Sequence, residues 1–328
     1  MARSLWRRRK PVAAARIDGS SLIALDHDGR ELWRYRFTER LGHYPSFELA
    51  LPQCLITDLD GNGGAELLLQ EVTVDPSNGP VVCFDPGGNL RWRYLPGRPV
   101  TDSRGHQFLP PYGVVALGAI PPRAGDPGVA IVVSAHNWSF PCQVMVLDGR
   151  TGRSVGEFWH RGHLRHLAIV DLEGKGKPQL LLGGVNDAPE HKRATLVCFD
   201  PLHVSGASSD PEGNPYFYGM SPGSETTVVF FPRTEISRTE EFNLVTILEG
   251  RGGRIFVAVS EGIAETSPVA IYEFDYSFRI TNVALSGGLV QRFKELQEAG
   301  MLPRESPESI AQRLRAGVQV VHRRDPLG

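Results

Sequence analysis

One recurring pattern limits what this chain can fold into. It is an apolar run ending in Leu-Asp or Phe-Asp, a short turn, then a strand rich in aromatics. It reads LIALDHDGRELWRY at 22–35 and VVCFDPGGNLRWRY at 81–94. In both copies the Asp (Asp26, Asp85) stands seven residues before a Trp (Trp33, Trp92), and each Trp opens a Trp-Arg-Tyr triplet. VMVLDGRTGRSVGEFW at 144–159 reads as a longer version, built on Asp148 and Trp159. LVCFDP at 196–201 and IYEFDYSFRI at 271–280 keep the first half, around Asp200 and Asp275. In WRYRF, Trp33, Tyr35 and Phe37 alternate with Arg34 and Arg36, which buries one face of a strand and wets the other.

A second pattern interleaves with the first. CLITDLDGNGGAELLLQ at 54–70 places two apolar runs around a link rich in Gly, Asp and Asn, the mark of two buried strands joined by a tight turn. It recurs as LAIVDLEGKGKPQLLLGG at 167–184 and, more weakly, as VTILEGRGGRIFVAV at 245–259. Residues 114–133 keep both apolar runs but a single acid, Asp126. Each unit therefore reads as four short strands.

Four-stranded units repeating about every 50–60 residues predict an all-β β-propeller of about five blades, with six or seven as the other counts. The blades fall at roughly 12–47, 53–96, 112–160, 165–232 and 243–285, after a basic tail at 1–11. The first unit shows no obvious acid-loop hairpin. A terminal strand at 318–323, VQVVHR, is expected to close the ring by pairing with the first or last blade. The polar stretch 203–225 reads as a surface loop. Two short helices complete 286–328. In the first, Leu289, Phe293 and Leu296 share a face before Gly300; in the second, Ser306-Pro307 starts a helix with Ile310 and Leu314 on one face.

The turn at 58–66 has calcium-loop chemistry. Oxygen side chains stand at relative positions 1 (Asp58), 3 (Asp60), 5 (Asn62) and 9 (Glu66), and a carbonyl near Gly64 fills position 7. Alternate residues of a tightly curled loop point inward, so this spacing suits one hard cation that takes six to eight oxygens. The flanks are strands, so this is no helical calcium loop. Asp-Gly and Asn-Gly also make turns without any metal, and that reading stands beside the first. The later copies put Lys175 or Arg251 at position 5, where a cation would repel calcium or replace it. One good site is expected.

Elsewhere the chemistry is thin. His160, His163 and His166 in WHRGHLRH have a spacing that suits zinc on a helix, but the sequence around them reads as a strand end and loop, without a neighbouring Cys or acid cluster. SAHNWSFPCQ at 134–143 brings His136 near Cys142, a pairing that suits a nucleophile or, more simply, a loop packed over Trp138. His106, Tyr112, His136 and Trp138 are the candidate binding surface. No catalytic residue is assigned.

A net charge of −2 argues against nucleic-acid binding. Cys54, Cys83, Cys142 and Cys198 lack metal-ligand spacing in the sequence and read as reduced core thiols. Neither a signal peptide nor a membrane span is read. The cytoplasm is the default location; export or anchoring follows if an upstream segment is missing. A monomer is expected.

TDLDGNGGAEL and its degenerate copies resemble the FG-GAP/VCBS repeat of integrin α-chain propellers and many bacterial proteins. The Leu-Asp-turn-Trp units resemble PQQ-type propeller repeats. The resemblance implies a calcium-binding propeller, with ligands on Asp58, Asp60, Asn62 and Glu66, that binds a protein or glycan ligand as a scaffold. The alternative is a propeller enzyme, either a quinone-dependent dehydrogenase or a calcium-assisted polysaccharide lyase.

Overall fold

The computed structural model describes residues 10–41, 54–71, 79–122, 128–137, 140–171, 174–188, 192–239, 242–263 and 266–322. Its first sheet is β1 (Ala14–Asp18), β2 (Ser21–Leu25) and β3 (Glu31–Arg36). The second is β4 (Cys54–Thr57), β5 (Glu66–Gln70), β6 (Val81–Phe84) and β7 (Leu90–Tyr94). A short ribbon follows, β8 (Val100–Thr101) with β9 (Gln107–Phe108). The third sheet takes β10 (Gly113–Ile120), β11 (Ala130–His136), β12 (Cys142–Asp148) and β13 (Ser154–His160). The fourth starts with β14 (Gly162–Val170), β15 (Gln179–Asn186) and β16 (Arg193–Phe199).

After β16 the chain departs from a simple meander. β17 (Ser205–Ala207) returns to the third sheet and pairs in parallel with β13, Phe158 opposite Gly206. β18 (Thr227–Phe230) then comes back to β16. The stretch expected to be a surface loop therefore supplies an outer strand to the preceding sheet. A short helix, α1 (Glu235–Thr239), leads to the fifth sheet: β19 (Leu244–Arg251), β20 (Arg254–Ser260), β21 (Val269–Asp275) and β22 (Ile280–Leu285).

The repeated Asp explains the hairpins. Asp26 Oδ1 accepts the N–H groups of Asp28 and Arg30, both at 2.9 Å. Asp85 does the same for Gly87 and Asn89, and Asp275 for Ser277 and Arg279. The carboxylate replaces ladder bonds that a tight turn cannot make. The residue three beyond each Asp lies in the left-handed region: Gly29 at φ +74°, Gly88 at +86°, and Phe278 at +57° in the last copy. A bulge in the register precedes each of these turns.

The sheets stack face to face in chain order. Leu22 and Ala24 of the first meet Leu67, Val82 and Phe84 of the second. The other face of the second, with Leu68, Cys83 and Trp92, meets Val114, Val133 and Met145 of the third. Val132, Val144 and Phe158 meet Leu180, Leu182 and Phe199. Leu181, Leu196 and Val229 meet Val257, Tyr272 and Phe274 of the fifth. At the inner edge, β4, β10, β14 and β19 run side by side, which is the arrangement of propeller blades.

Trp33 and Trp92 occupy equivalent positions, and each faces the next sheet. A Cβ on Gly88 would come within 2.8 Å of the Trp33 ring, and one on Gly152 within 2.6 Å of the Trp92 ring. Glycine at each turn makes room for the indole of the sheet before it. Trp92 also donates to the Gly149 carbonyl at 2.9 Å. Trp159 is no third copy: it lies in the core between the second and third sheets and so faces backward. Matching β2–β3 to β6–β7 puts β1 in the place of β5, so the first sheet lacks a counterpart of β4 among the described residues, rather than a whole hairpin.

The helices are α2 (Gly287–Glu298) and α3 (Pro307–Gly317), capped by Ser286 and Ser306. Leu289, Phe293, Ile310 and Leu314 pack into the core of the fourth and fifth sheets. The last strand, β23 (Gln319–His322), pairs antiparallel with β18, Val320 opposite Val229. It therefore extends the fourth sheet and does not pair with the first or last one. The apolar outer side of β18 is its physical partner, brought within reach by the two helices.

Candidate functional site

The β4–β5 turn holds the acids singled out in the sequence. One carboxylate oxygen from each of Asp58, Asp60 and Glu66 lies within 4.8 Å of the others. Leu59, fully buried between the two aspartates, anchors the turn: its carbonyl accepts the Val129 N–H of the third sheet at 3.2 Å.

The hydrogen bonds show what these groups do. Asp58 accepts N–H groups from Gly61 and Gly63 at 2.8 Å, one on each oxygen, and a longer one from Asn62. Asn62 Oδ1 accepts the Gly64 N–H at 2.8 Å. Glu66 is fully buried and accepts the Leu59 N–H at 2.9 Å. Its second oxygen meets Arg91 Nη1 at 2.5 Å, and the same guanidinium lies 3.3 Å from Asp60. Burial raises the Glu66 carboxyl above its usual range, opposed by the Leu59 N–H and by Arg91. Arg91 was missed in the sequence. It lies 25 residues from Glu66, in the Arg-Trp-Arg stretch of β7, and only strand register brings it across.

A calcium ion fits the donor chemistry of Asp58, Asp60, Asn62, the Gly64 carbonyl and Glu66. It competes with Arg91 for Asp60 and Glu66, so the guanidinium must swing outward for a cation to enter.

The other candidates lie at the opposite end of the sheets. The ribbon β8–β9 and the 205–222 excursion bind each other there. The Tyr216 carbonyl accepts from the Ser103 N–H at 2.8 Å, and the Tyr218 N–H donates to the Thr101 carbonyl at 2.9 Å. Asn137 donates to the Leu109 carbonyl at 2.7 Å, and the Phe108 and Phe140 rings lie 5.3 Å apart. The loops around His106 and His136 thus do come together. Tyr112, however, is fully buried beneath them, edge-on to Trp159 at 5.6 Å, and is no surface residue. His106 is exposed beside Asp102, and His136 is half-buried. Trp138 lies outside the described residues. Tyr218, 83% exposed, and Leu109 complete this surface.

The histidines of WHRGHLRH are not on a loop. His160 ends β13, while His163 and His166 belong to β14. Burial pushes their pKa values down to about 3, 4 and 4, and Arg165 adds to the effect on His163 and His166.

No protein-family model matches the chain, and no curated protein matches it. Solved structures do. The PilY1 C-terminal domain of Pseudomonas aeruginosa is 9% identical over 79% of this chain and 65% of its own, with a TM-score of 0.43. A europium-containing methanol dehydrogenase is 12% identical over 84% of this chain and 60% of its own, at 0.39. The rhamnogalacturonan lyase YesW is 11% identical over 82% of this chain and 57% of its own, at 0.35. The chain thus spans less than two thirds of each of these proteins. At such scores the fold is argued from this chain's own sheets.

Proposed function

We propose that this chain is a non-enzymatic propeller of FG-GAP/VCBS type, a scaffold that binds a protein or glycan ligand and carries one structural calcium in the 58–66 turn. The capping surface supports the reading best. Two excursions from different sheets, 97–112 and 205–222, are tied to each other by backbone bonds and present Tyr218, Leu109 and His106 to solvent. A rigid platform holding an exposed aromatic, an apolar side chain and an imidazole suits recognition of an apolar peptide segment or a sugar face. The acidic turn supports the non-enzymatic part. Asp58 is engaged by backbone N–H groups, and Asp60 and Glu66 by Arg91, so these carboxylates serve the turn rather than proton transfer.

Glycan and peptide arrays probed with the parent chain and with a Tyr218→Ala, His106→Ala double variant test the proposal. Binding by the parent that is lost in the double variant is the expected outcome. Equal binding by both, or no binding by the parent, removes the capping surface as the ligand site.

A further inference from the structure

Two motifs far apart in the sequence meet where the third and fourth sheets pack, at the end opposite the acidic turn. In the register of the third sheet, His136 of β11 stands directly across from Cys142 of β12, and Cys142 directly across from His160 of β13. Cys142 and Phe158 belong to the core shared with the fourth sheet, and the His160 ring stacks near Phe158 at 6.4 Å. From the fourth sheet, His163 of β14 approaches this row, its ring 5.1 Å from that of His136. Three imidazoles and a thiol therefore face one inter-sheet space.

His160 is only 3% exposed, and its ring approaches just the Val185 backbone carbonyl, outside normal hydrogen-bond geometry. At least one of its ring nitrogens is therefore buried without a partner, and His163 Nδ1 has none either. A buried ring nitrogen without a partner costs about 1–3 kcal/mol, and buried polar groups left in this state call for an explanation. Cys142 touches Ser134 Oγ at 3.2 Å. The Ser134 hydroxyl donates to the Leu164 carbonyl at 2.7 Å, so in that contact the thiol is the donor. Burial lowers the pKa of His160 and His163, so these two imidazoles are neutral near pH 7, the form that binds a metal.

We propose that His136, Cys142, His160 and His163 form a binding site for a divalent transition metal of the zinc type. Neutral imidazole and thiolate are the donors such an ion prefers. No three of these donor atoms lie within 4.8 Å of one another, so binding turns the imidazoles about their side-chain torsions while the strands keep their register. His136 and His163 are half-buried and provide the way in. As the metal–sulfur bond forms, the Cys142 S–H bond breaks and its proton leaves to solvent, so binding strengthens with rising pH. Arg165, whose charge already lowers the His163 pKa, opposes the incoming charge, and the Cys142 thiolate offsets part of it.

Cobalt(II), added in one equivalent to the metal-free full chain, is the probe, with zinc(II) competition for affinity. A thiolate-to-cobalt charge-transfer band is expected in the parent and absent in Cys142→Ser. His163→Gln, a neutral replacement of similar size at a half-buried site, should weaken zinc binding about tenfold or more. An Asp58→Ala, Asp60→Ala variant should keep the band unchanged, which separates this site from the acidic turn. No band in the parent, a band that survives in Cys142→Ser, or unaltered zinc affinity in His163→Gln overturns the assignment.

Discussion

The turn after β4 and the described residues of the turn after β14 share their Asp-to-glycine geometry and differ in chemistry. Asp58 binds the N–H groups of Gly61 and Gly63; Asp171 binds those of Lys175 and Gly176 at 3.1 and 2.6 Å. Glycines three and five residues beyond each Asp take φ values from +65° to +85°. Downstream the two part. The first turn has Glu66, buried and paired with Arg91; the second has Gln179, whose Oε1 lies 3.6 Å from the Cys198 thiol. The Asp and glycines are thus requirements of the turn, present whether or not the rest of the loop is built for charge. A pattern of Asp and Gly reports a backbone shape first and a cation second.

Acid should separate the second sheet from the fourth most strongly. His160, His163 and His166 have folded-state pKa values of about 3, 4 and 4 against 6.5 for the free side chain. The unfolded chain takes up protons below pH 6.5, and the folded chain only near 3 to 4. Stability is therefore whole above pH 6.5 and falls as pH drops through that window, by up to about 1.4 kcal/mol per pH unit for each histidine. Hydrogen exchange at mildly acidic pH should open the third and fourth sheets before the second. The reverse order would break the comparison.

Glu66→Ala comes next. It leaves the buried Leu59 N–H without an acceptor and Arg91 with Asp60 alone, and should cost about 1–3 kcal/mol. Gln179→Ala removes a weaker contact and should cost below about 1 kcal/mol. Urea unfolding of both variants checks this, and equal losses would mean that the two turns are energetically the same.

The smallest effect sharpens the role of calcium. With a chelator present, Asp58→Ala and Asp171→Ala should each lose about 1–2 kcal/mol, because both remove carboxylate bonds to the N–H groups four and five residues on. With calcium, the melting temperature of the parent should rise and that of Asp58→Ala should not. A parent that melts identically in calcium and in chelator leaves the first turn metal-free.

Much of the fold was legible because its signals are local. Asp26, Asp85 and Asp275 bond to residues two and four positions on, so the hairpins can be read from a window of a few residues. Ser306-Pro307 fixed the start of α3 in the same way. What failed was non-local. Trp159 shares the pattern of Trp33 but faces the other way. Trp33 and Trp92 stand opposite the residue two before their Asp, Ala24 and Cys83, whereas Trp159 stands opposite Gln143, five before Asp148, and an odd shift changes the face. Tyr112 lies in a Pro-rich stretch that reads as exposed, and loops from elsewhere cover it. Arg91 at the acidic turn, and the addition of His160 to the His136–Cys142 pair, depend on which strands pair and in what register. Spacing along the chain carries no trace of that.

The placement of β23 has a consequence for biosynthesis. Thr227 of β18 meets His322 of β23 across 95 residues, and the whole fifth sheet with both helices lies between them. During translation the outer edge of the fourth sheet therefore stays unpaired until residue 322 has left the ribosome. At 5–20 residues per second this is a wait on the order of 5 to 20 seconds, long against the time in which neighbouring hairpins close. For that interval the nascent chain carries an open edge lined by Val228 and Val229, the kind of strand that seeks a partner in another molecule. Slow codons between 231 and 318 would lengthen the exposure, and chaperones that hold extended apolar segments would shorten its risk.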